Sequence, residues 1–325
     1  MAYDPIASMK QPAIPSKTPT ARSNWRSTLT HTWNQHRMLY LLLLPTLIWL
    51  LVLRLYPFYF AGIAFVKYNP VKGLSGSDWV GFKNFIDVFR RPEIMSIVRN
   101  TLLISLGKIF IVELAGFAFA LLIHEARTPF YKKFVQTVSA IPHFFSWVIV
   151  GTLTMSLLSS KGFINTTLDS FGLDKIGFLS DKMIFPFTLI FSETWKEFGW
   201  SAVIYLAALT QINPELIEAA AVDGAGRLAR LWSIIIPTVF PTFIFMIVLG
   251  FGGLLDAGFE QVLVLYNPAL YSTGDILDTY VYRMGLVNFK FEIATVVGLI
   301  KSIVGYIAIM SANWASGKMT HYRMF

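Results

Sequence analysis

Six apolar runs separated by polar stretches set the reading of this chain. They lie at Leu39–Val66, Thr101–Ile123, Phe134–Leu158, Ile184–Leu209, Ile234–Leu255 and Phe291–Trp314. Each is long enough to cross a hydrocarbon layer of about 30 Å at roughly 1.5 Å of rise per residue. Lipid offers backbone groups no alternative partner, so each run is expected to be a helix. The pattern therefore predicts an all-α, polytopic membrane protein with six transmembrane helices. The first run is interrupted by Pro45, Arg54 and Pro57. Residues 1–38 are polar and carry Pro5, Pro12, Pro15 and Pro19, the composition of a flexible arm ending in a short interfacial segment around Trp25–Arg37. The helical domain then takes residues 39–318, and residues 319–325 form a short tail. The first run is too long for a cleaved signal, and no small-residue cleavage site ends it.

Between the fourth and fifth runs the pattern changes to NPELIEAAAVDGAGRLARLWSIIIPTVFP, from Asn213 to Pro241. Asn213 is a good N-cap and Pro214 falls at the first helical position, where its missing N–H costs nothing. Glu215 and Glu218 occupy the first turns, where the helix dipole favours carboxylates. Ala219, Ala220 and Ala221 combine high helix propensity with little side-chain bulk. Asp223-Gly224 ends the helix, because Gly takes the positive φ that such an end wants. A second amphipathic piece, with Leu228, Leu231 and Trp232 apolar and Arg227 and Arg230 charged, runs to Pro237. The expected result is a helix–turn–helix elbow with a small tip, a shape suited to insertion into a groove on another protein.

Charges inside apolar runs are costly and face protein or water rather than lipid. Arg54, Lys108, Glu113 and Lys301 are of this kind, and Glu193, Lys196 and Glu197 cluster in one half of the fourth run. Lys108 and Glu113 are five residues apart, a poor spacing for an intrahelical pair, so their partners are expected elsewhere. Glu193, Lys196, Glu197 and Trp200 fall on one helical stripe, with Trp195 adjacent and Tyr205 beyond. Carboxylates and an amine beside aromatic faces are what a sugar site needs. The same residues also fit a structural charge cluster or an interfacial aromatic belt. Of the connecting segments, Lys67–Asn100 holds the GFKNF run, and Asp256–Lys290, rich in Tyr, Asn and Asp, reads as a loop able to touch an external partner.

Composition narrows the function. The chain has 325 residues, 55% hydrophobic and 14% charged, with mean hydropathy +0.57. A net charge of +8 raises the question of nucleic acid, but the basic residues are scattered between apolar runs and serve better as membrane-surface anchors. Lys and Arg divide almost evenly between the two sides of a six-span arrangement, so they do not set its orientation. With no cysteine, disulfides and thiolate metal sites are excluded. Neither Gly107-Lys108 nor Gly317-Lys318 has the context of a phosphate-binding loop, and His31, His36, His124, His143 and His321 form no paired-His metal motif. No catalytic signature is present, so the chain is not expected to be an enzyme by itself.

The elbow carries a resemblance. Glu218-Ala219-Ala220, Gly224, Ile234 and Ile236-Pro237 match the EAA motif of ABC-importer permeases with every spacing met, the usual Leu before the Pro being Ile236. Trp195-Lys196, Gly199, Ala207-Ala208-Leu209, Asp223-Gly224-Ala225, Trp232 and Pro241 look like the carbohydrate branch of that family. The resemblance covers roughly residues 39–318. It implies a type I ABC importer permease fold and a transmembrane subunit forming the translocation path for an oligosaccharide, acidic uronate-type sugars among the candidates. The implied partners are a second similar permease, two ATP-binding subunits that hold ATP and Mg, and an extracytoplasmic solute-binding protein; no cofactor is implied for this chain. Glu215, Glu218, Ala219, Ala220, Asp223, Gly224 and Ala225 would form the ATPase-coupling helix. Glu193, Trp195, Lys196, Glu197, Trp200 and Tyr205 would line the substrate path. The implied location is the bacterial plasma membrane, with the elbow and both termini in the cytoplasm. The alternatives are a secondary transporter driven by an ion gradient, which lacks the expected internal repeat, and a membrane-embedded enzyme, which lacks a catalytic constellation.

Overall fold

A computed structural model describes residues 25–126 and 128–320; the expectations for the amino-terminal arm before Trp25 and for the tail after Thr320 lie outside the described residues. The chain divides into a unit ending at Phe60 and a unit beginning at Ala61.

In the first unit, helix α1 runs from Trp25 to Leu50 and contains Pro45, so the helix begins within the stretch read as an arm. Leu51–Leu55 continues it as a wider turn with hydrogen bonds five residues apart. The described side chains from Arg37 to Phe60 are exposed, as expected for an apolar helix whose surroundings are lipid or partner subunits.

The second unit starts with a short antiparallel ladder, β1 (Val66–Lys67) on β2 (Asp78–Trp79), with Val66 opposite Trp79. Buried Asn84, in α2 (Lys83–Phe89), donates to the carbonyls of Ala64 and Val66, both at 2.9 Å, which fastens the ladder to the helix. The long helix α3 (Pro92–Glu125) follows, with Pro92 at its first turn. After α3 come α4 (Pro129–Ala140), α5 (Trp147–Leu158), α6 (Phe163–Ser170) and α7 (Phe185–Leu209). The elbow comprises α8 (Pro214–Val222) and α9 (Arg227–Arg230), and α9 runs through a wide turn at Leu231–Ile235 into α10 (Ile236–Phe251). Three short helices, α11 (Phe259–Leu265), α12 (Tyr271–Gly274) and α13 (Leu277–Tyr282), precede α14 (Phe291–Thr320).

The packed centre is the pair α3 and α7. Phe117, Ala120, Ala202, Tyr205 and Val239 close its elbow end; Ile104, Phe185, Leu189 and Val262 fill the other. A third cluster, including Ile97, Leu277, Tyr280, Ile293 and Val296, joins α3 to α13 and α14.

Among the described residues, five stretches are long and apolar enough to cross a membrane: Arg37–Phe65, Pro92–Glu125, Trp147–Ser170, Arg227–Phe251 and Phe291–Trp314. Helix α7 is the sixth long helix, with 25 residues, and differs from these in holding Glu193, Lys196 and Glu197 near its middle.

Two expectations need correction. The third run, Phe134–Leu158, is not one helix. It breaks after Ala140 into a tight turn at Ile141–Phe144 and extended backbone at Phe145, and α5 starts afresh at Trp147. Pro142 supplies the reason, since it lacks the donor a continuing helix would use. Asp256–Lys290 is not an open loop either: Val262, Leu265, Leu270, Ile276, Leu277 and Tyr280 carry α11–α13 into the core.

Candidate coupling elbow and polar corner

The elbow forms as its local chemistry dictates. Asn213 accepts a hydrogen bond from the Glu215 amide at 3.0 Å, capping α8, and Pro214 takes the first helical position. At the other end the Ala225 amide donates to the Ala220 carbonyl at 2.9 Å and the Gly224 amide to that of Ala221 at 3.1 Å. This nested pair is the Schellman closure, which requires a left-handed residue at its centre. Gly224 is that residue, with φ +83°. Ile217 turns inward onto the cluster of Leu209, Ile212 and Ile235, anchoring the elbow to the bundle. Glu215, Glu218, Ala219, Asp223 and Gly224 face outward, with Ala220 and Ala225 partly covered. Leu216, Val222, Leu228 and Trp232 add exposed apolar surface to the same protrusion. A rigid helix with a small-residue face therefore projects from the end of α7 and returns directly into α10.

The charged stripe of α7 divides between two neighbours. Lys196, only 6% exposed, donates to the His143 carbonyl at 2.8 Å and to Glu197 at 2.7 Å, and lies 5.8 Å from the Trp147 ring centre. His143 Nδ1 lies 2.6 Å from Glu197 Oε2. The His143 ring stacks on Trp200 at 4.4 Å, with 4° between the planes. Together these contacts clamp α7 against the break between α4 and α5. Gly199 makes the close approach possible, because a Cβ there would sit 2.0 Å from the Ser139 carbonyl oxygen. The break falls about halfway along α7.

Glu193 takes a different partner. Buried Lys108 of α3 donates to Glu193 at 3.0 Å, to the Ala257 carbonyl at 2.6 Å and to Gln261. Gln261 in turn donates to the Leu189 carbonyl and to Ser192, both at 2.8 Å. Glu113 accepts from Ser201 at 2.8 Å and from Tyr205 at 2.6 Å. Lys108 and Glu113 thus both find partners on α7, as their poor mutual spacing implied. Tyr205 is fully buried, and with Lys196 it lies inside the packing between helices. Trp200 remains 41% exposed at the corner, and Trp195 borders a mainly apolar groove of about 470 Å³ with Leu153, Phe187 and Phe191. Sequence reasoning missed His143, Gln261 and Gly258, whose roles exist only once separate helices meet. The signal for His143 was Pro142 beside it, a break in an otherwise continuous apolar run.

Comparison with known proteins agrees with this architecture. The family model for "Binding-protein-dependent transport system inner membrane component" matches residues 113–320. The polygalacturonan/rhamnogalacturonan transport system permease protein YteP of Bacillus subtilis (strain 168) is 41% identical over 280 residues, covering 86% of this chain and 87% of that protein. Protein LplB of the same organism is 39% identical over 290 residues, 89% of this chain and 91% of that protein. A crystal structure of a bacterial ABC transporter involved in the import of the acidic polysaccharide alginate contains a chain of TM-score 0.83 and 35% identity. That match covers 90% of this chain and 99% of the other. With the match spanning the elbow, the α3–α7 centre and α14, this chain belongs to the family of binding-protein-dependent transport system inner membrane components, the non-catalytic permease subunits of ABC importers.

Proposed function

We propose that this permease imports an acidic, uronate-type oligosaccharide across the bacterial plasma membrane. In this reading it works with a second similar permease, two ATP-binding subunits that hold ATP and Mg, and an extracytoplasmic solute-binding protein. The elbow and both termini face the cytoplasm. The elbow supports this reading most directly: α8 is exposed, small-sided and fixed at both ends to helices of the bundle. Seated in a groove of an ATPase subunit, Glu215–Ala225 moves with it, and α7 and α10 move with the elbow. The permease then switches as a rigid body between two states, each favoured by different contacts.

The substrate path in this reading passes the corner where α7 meets the broken third span. Trp195 and Trp200 offer aromatic faces for sugar rings, and Glu197 with His143 offers polar groups beside them. Glu193, Lys196 and Tyr205 hold the surrounding helices in place. Support for an acidic sugar comes from the relatives, one named for polygalacturonan and rhamnogalacturonan and one described as importing alginate. The test is ATP hydrolysis and uptake by the reconstituted complex with oligogalacturonate, oligoalginate and a neutral malto-oligosaccharide. Stimulation by an acidic oligomer and not by the neutral one is expected; equal or exclusive response to the neutral sugar overturns the acidic assignment.

A further inference from the structure

The segment following α10 packs against the interior of the α3–α7 pair. Lys108 holds the Ala257 carbonyl and Glu193 together, and Glu193 lies eight residues into α7, about 12 Å along its axis. With α7 spanning the membrane, as the importer reading has it, the turn from Gly252 to Gly258 sits inside the bilayer thickness without the hydrogen bonds of a continuous helix. Irregular backbone at such depth is tolerated where it is enclosed by protein or lines water. Here Gly252 and Gly253 are exposed. With Asp256, Lys301, Ser302 and Tyr306 they border a cavity of about 500 Å³. Asp256 also borders a second cavity of about 500 Å³, with Asp278, Phe259 and Tyr282. The two form one groove on either side of Asp256.

The polar groups of this groove are incomplete. Lys301, ten residues and about 15 Å into α14, donates to Asp278 Oδ1 at 2.5 Å. The other carboxylate oxygen of Asp278 is enclosed by protein, without a hydrogen-bond partner among the described residues, and does not open onto the groove. Among the described residues Asp256 receives a single bond, from the Gly258 amide at 3.3 Å. Carboxylate oxygens accept and do not donate, so whatever completes the groove must supply donors. Acyl chains have none, and charged groups open to lipid at this depth are strongly disfavoured. Two carboxylates and one ammonium leave the groove short of positive charge, so it suits hydroxyl groups better than a third carboxylate. The rings of Phe259, Tyr282 and Tyr306 provide the apolar faces that sugar C–H surfaces stack against.

We propose that this groove is a sugar-hydroxyl subsite on the transport path, in which exposed Asp256 accepts hydrogen bonds from a sugar ring and the Lys301–Asp278 pair forms part of its wall. The subsite is separate from the Trp200 corner and rests on the reading of this permease as an oligosaccharide importer. The chain has no cysteine, so single cysteines report on it without background. Ser302→Cys and Tyr306→Cys are made in the assembled complex, held in lipid nanodiscs, and alkylated with a membrane-impermeant charged maleimide read on this chain. Both are expected to label, and labelling is expected to slow at least several-fold when an oligogalacturonate-loaded binding protein and ATP are added. Failure to label means that lipid or the second permease covers the groove and overturns the proposal, as does labelling unchanged by substrate. Asp256→Asn, which among the described residues alters a hydrogen bond to the Gly258 amide alone, is expected to lower oligosaccharide uptake at least several-fold, and wild-type uptake by this variant also overturns it. Wild-type uptake is measured alongside with acidic and neutral oligosaccharides. If the wild-type complex takes up none, the importer reading has failed; if it does and the groove cysteines stay unprotected, only the subsite has failed.

Discussion

The Lys108 ammonium meets the Glu193 carboxylate at 3.0 Å, joining α3 to α7 inside the bundle. The same nitrogen holds Gln261 and the Ala257 carbonyl, so one buried cation ties three parts of the chain together. Gly258 is the residue that allows this arrangement: it adopts φ +85°, and a Cβ there would lie 2.5 Å from Lys108 Nζ. Burying this pair is not in itself a large source of stability, because desolvation offsets the attraction. Its effect is to specify which turn of α3 faces which turn of α7.

Breaking the pair from one side is expected to be costly. Lys108→Met leaves Glu193 and Gln261 without their donor, and loss of one partner of a buried pair costs about 3–5 kcal/mol. The thermal midpoint of the purified complex should fall. Adding Glu193→Leu should recover part of the loss, because the uncompensated charge is then gone. A single variant as stable as wild type would show that water or a rearranged side chain replaces Lys108.

Gly224→Val tests the elbow turn. A β-branched residue held at φ +83° is strained by about 1–3 kcal/mol, although no atom lies within 4 Å of the added Cβ. The strain therefore acts through the backbone and not through a clash. The helix bundle should insert and assemble, while uptake falls relative to ATP hydrolysis. Gly224→Asn, which tolerates the left-handed region better, should retain more coupling than Val. Equal uptake by Val and wild type in reconstituted vesicles would remove the coupling role.

Much of the elbow was legible because its determinants are local: Asn213, Pro214, the alanines and Gly224 each act within one turn. The same holds for the apolar runs, whose length and composition suffice. The break at Ile141–Phe144 was hidden because Pro142 sits among apolar residues that satisfy a composition test for a span. The partners of Lys108 and Glu113 were out of reach for another reason. Periodicity shows which charges cannot pair along one helix, but the facing helix is chosen by packing. The Asp256–Lys290 segment misled because its polar residues, Asp275 and Arg283 among them, pair with each other inside the fold.

Gly199→Ala probes the clamp between α7 and the broken third span. The added methyl would sit 2.0 Å from the Ser139 oxygen, a backbone atom that cannot simply rotate away. Overpacking of this kind costs about 1–3 kcal/mol. The helices should separate, weakening the His143–Glu197 bond and the ring stack on Trp200. The expected readings are a lower thermal midpoint and a loss of substrate-stimulated ATP hydrolysis. A variant unchanged in both would mean that α4 can shift without disturbing the corner.

The corner itself is tested by separating its exposed face from its buried support. Trp200 is 41% exposed and stacks on His143, whereas Lys196 is 6% exposed and bonded to the His143 carbonyl. If sugar rings pass this surface, Trp200→Ala removes a stacking face but leaves Lys196 and Glu197 joined. Its expected effect is on substrate dependence, with little change in thermal midpoint. An aromatic contact of this kind is worth about 0.5–1.5 kcal/mol, so the substrate concentration giving half-maximal stimulation should rise roughly two- to tenfold. Lys196→Met acts differently: it strips a donor from the His143 carbonyl and a partner from Glu197, and should lower stability first. Trp200→Phe should restore most of the substrate dependence, because a ring face remains. If Trp200→Ala instead lowers the midpoint as much as Lys196→Met and leaves substrate dependence unchanged, the corner is a structural clamp and sugars do not touch it.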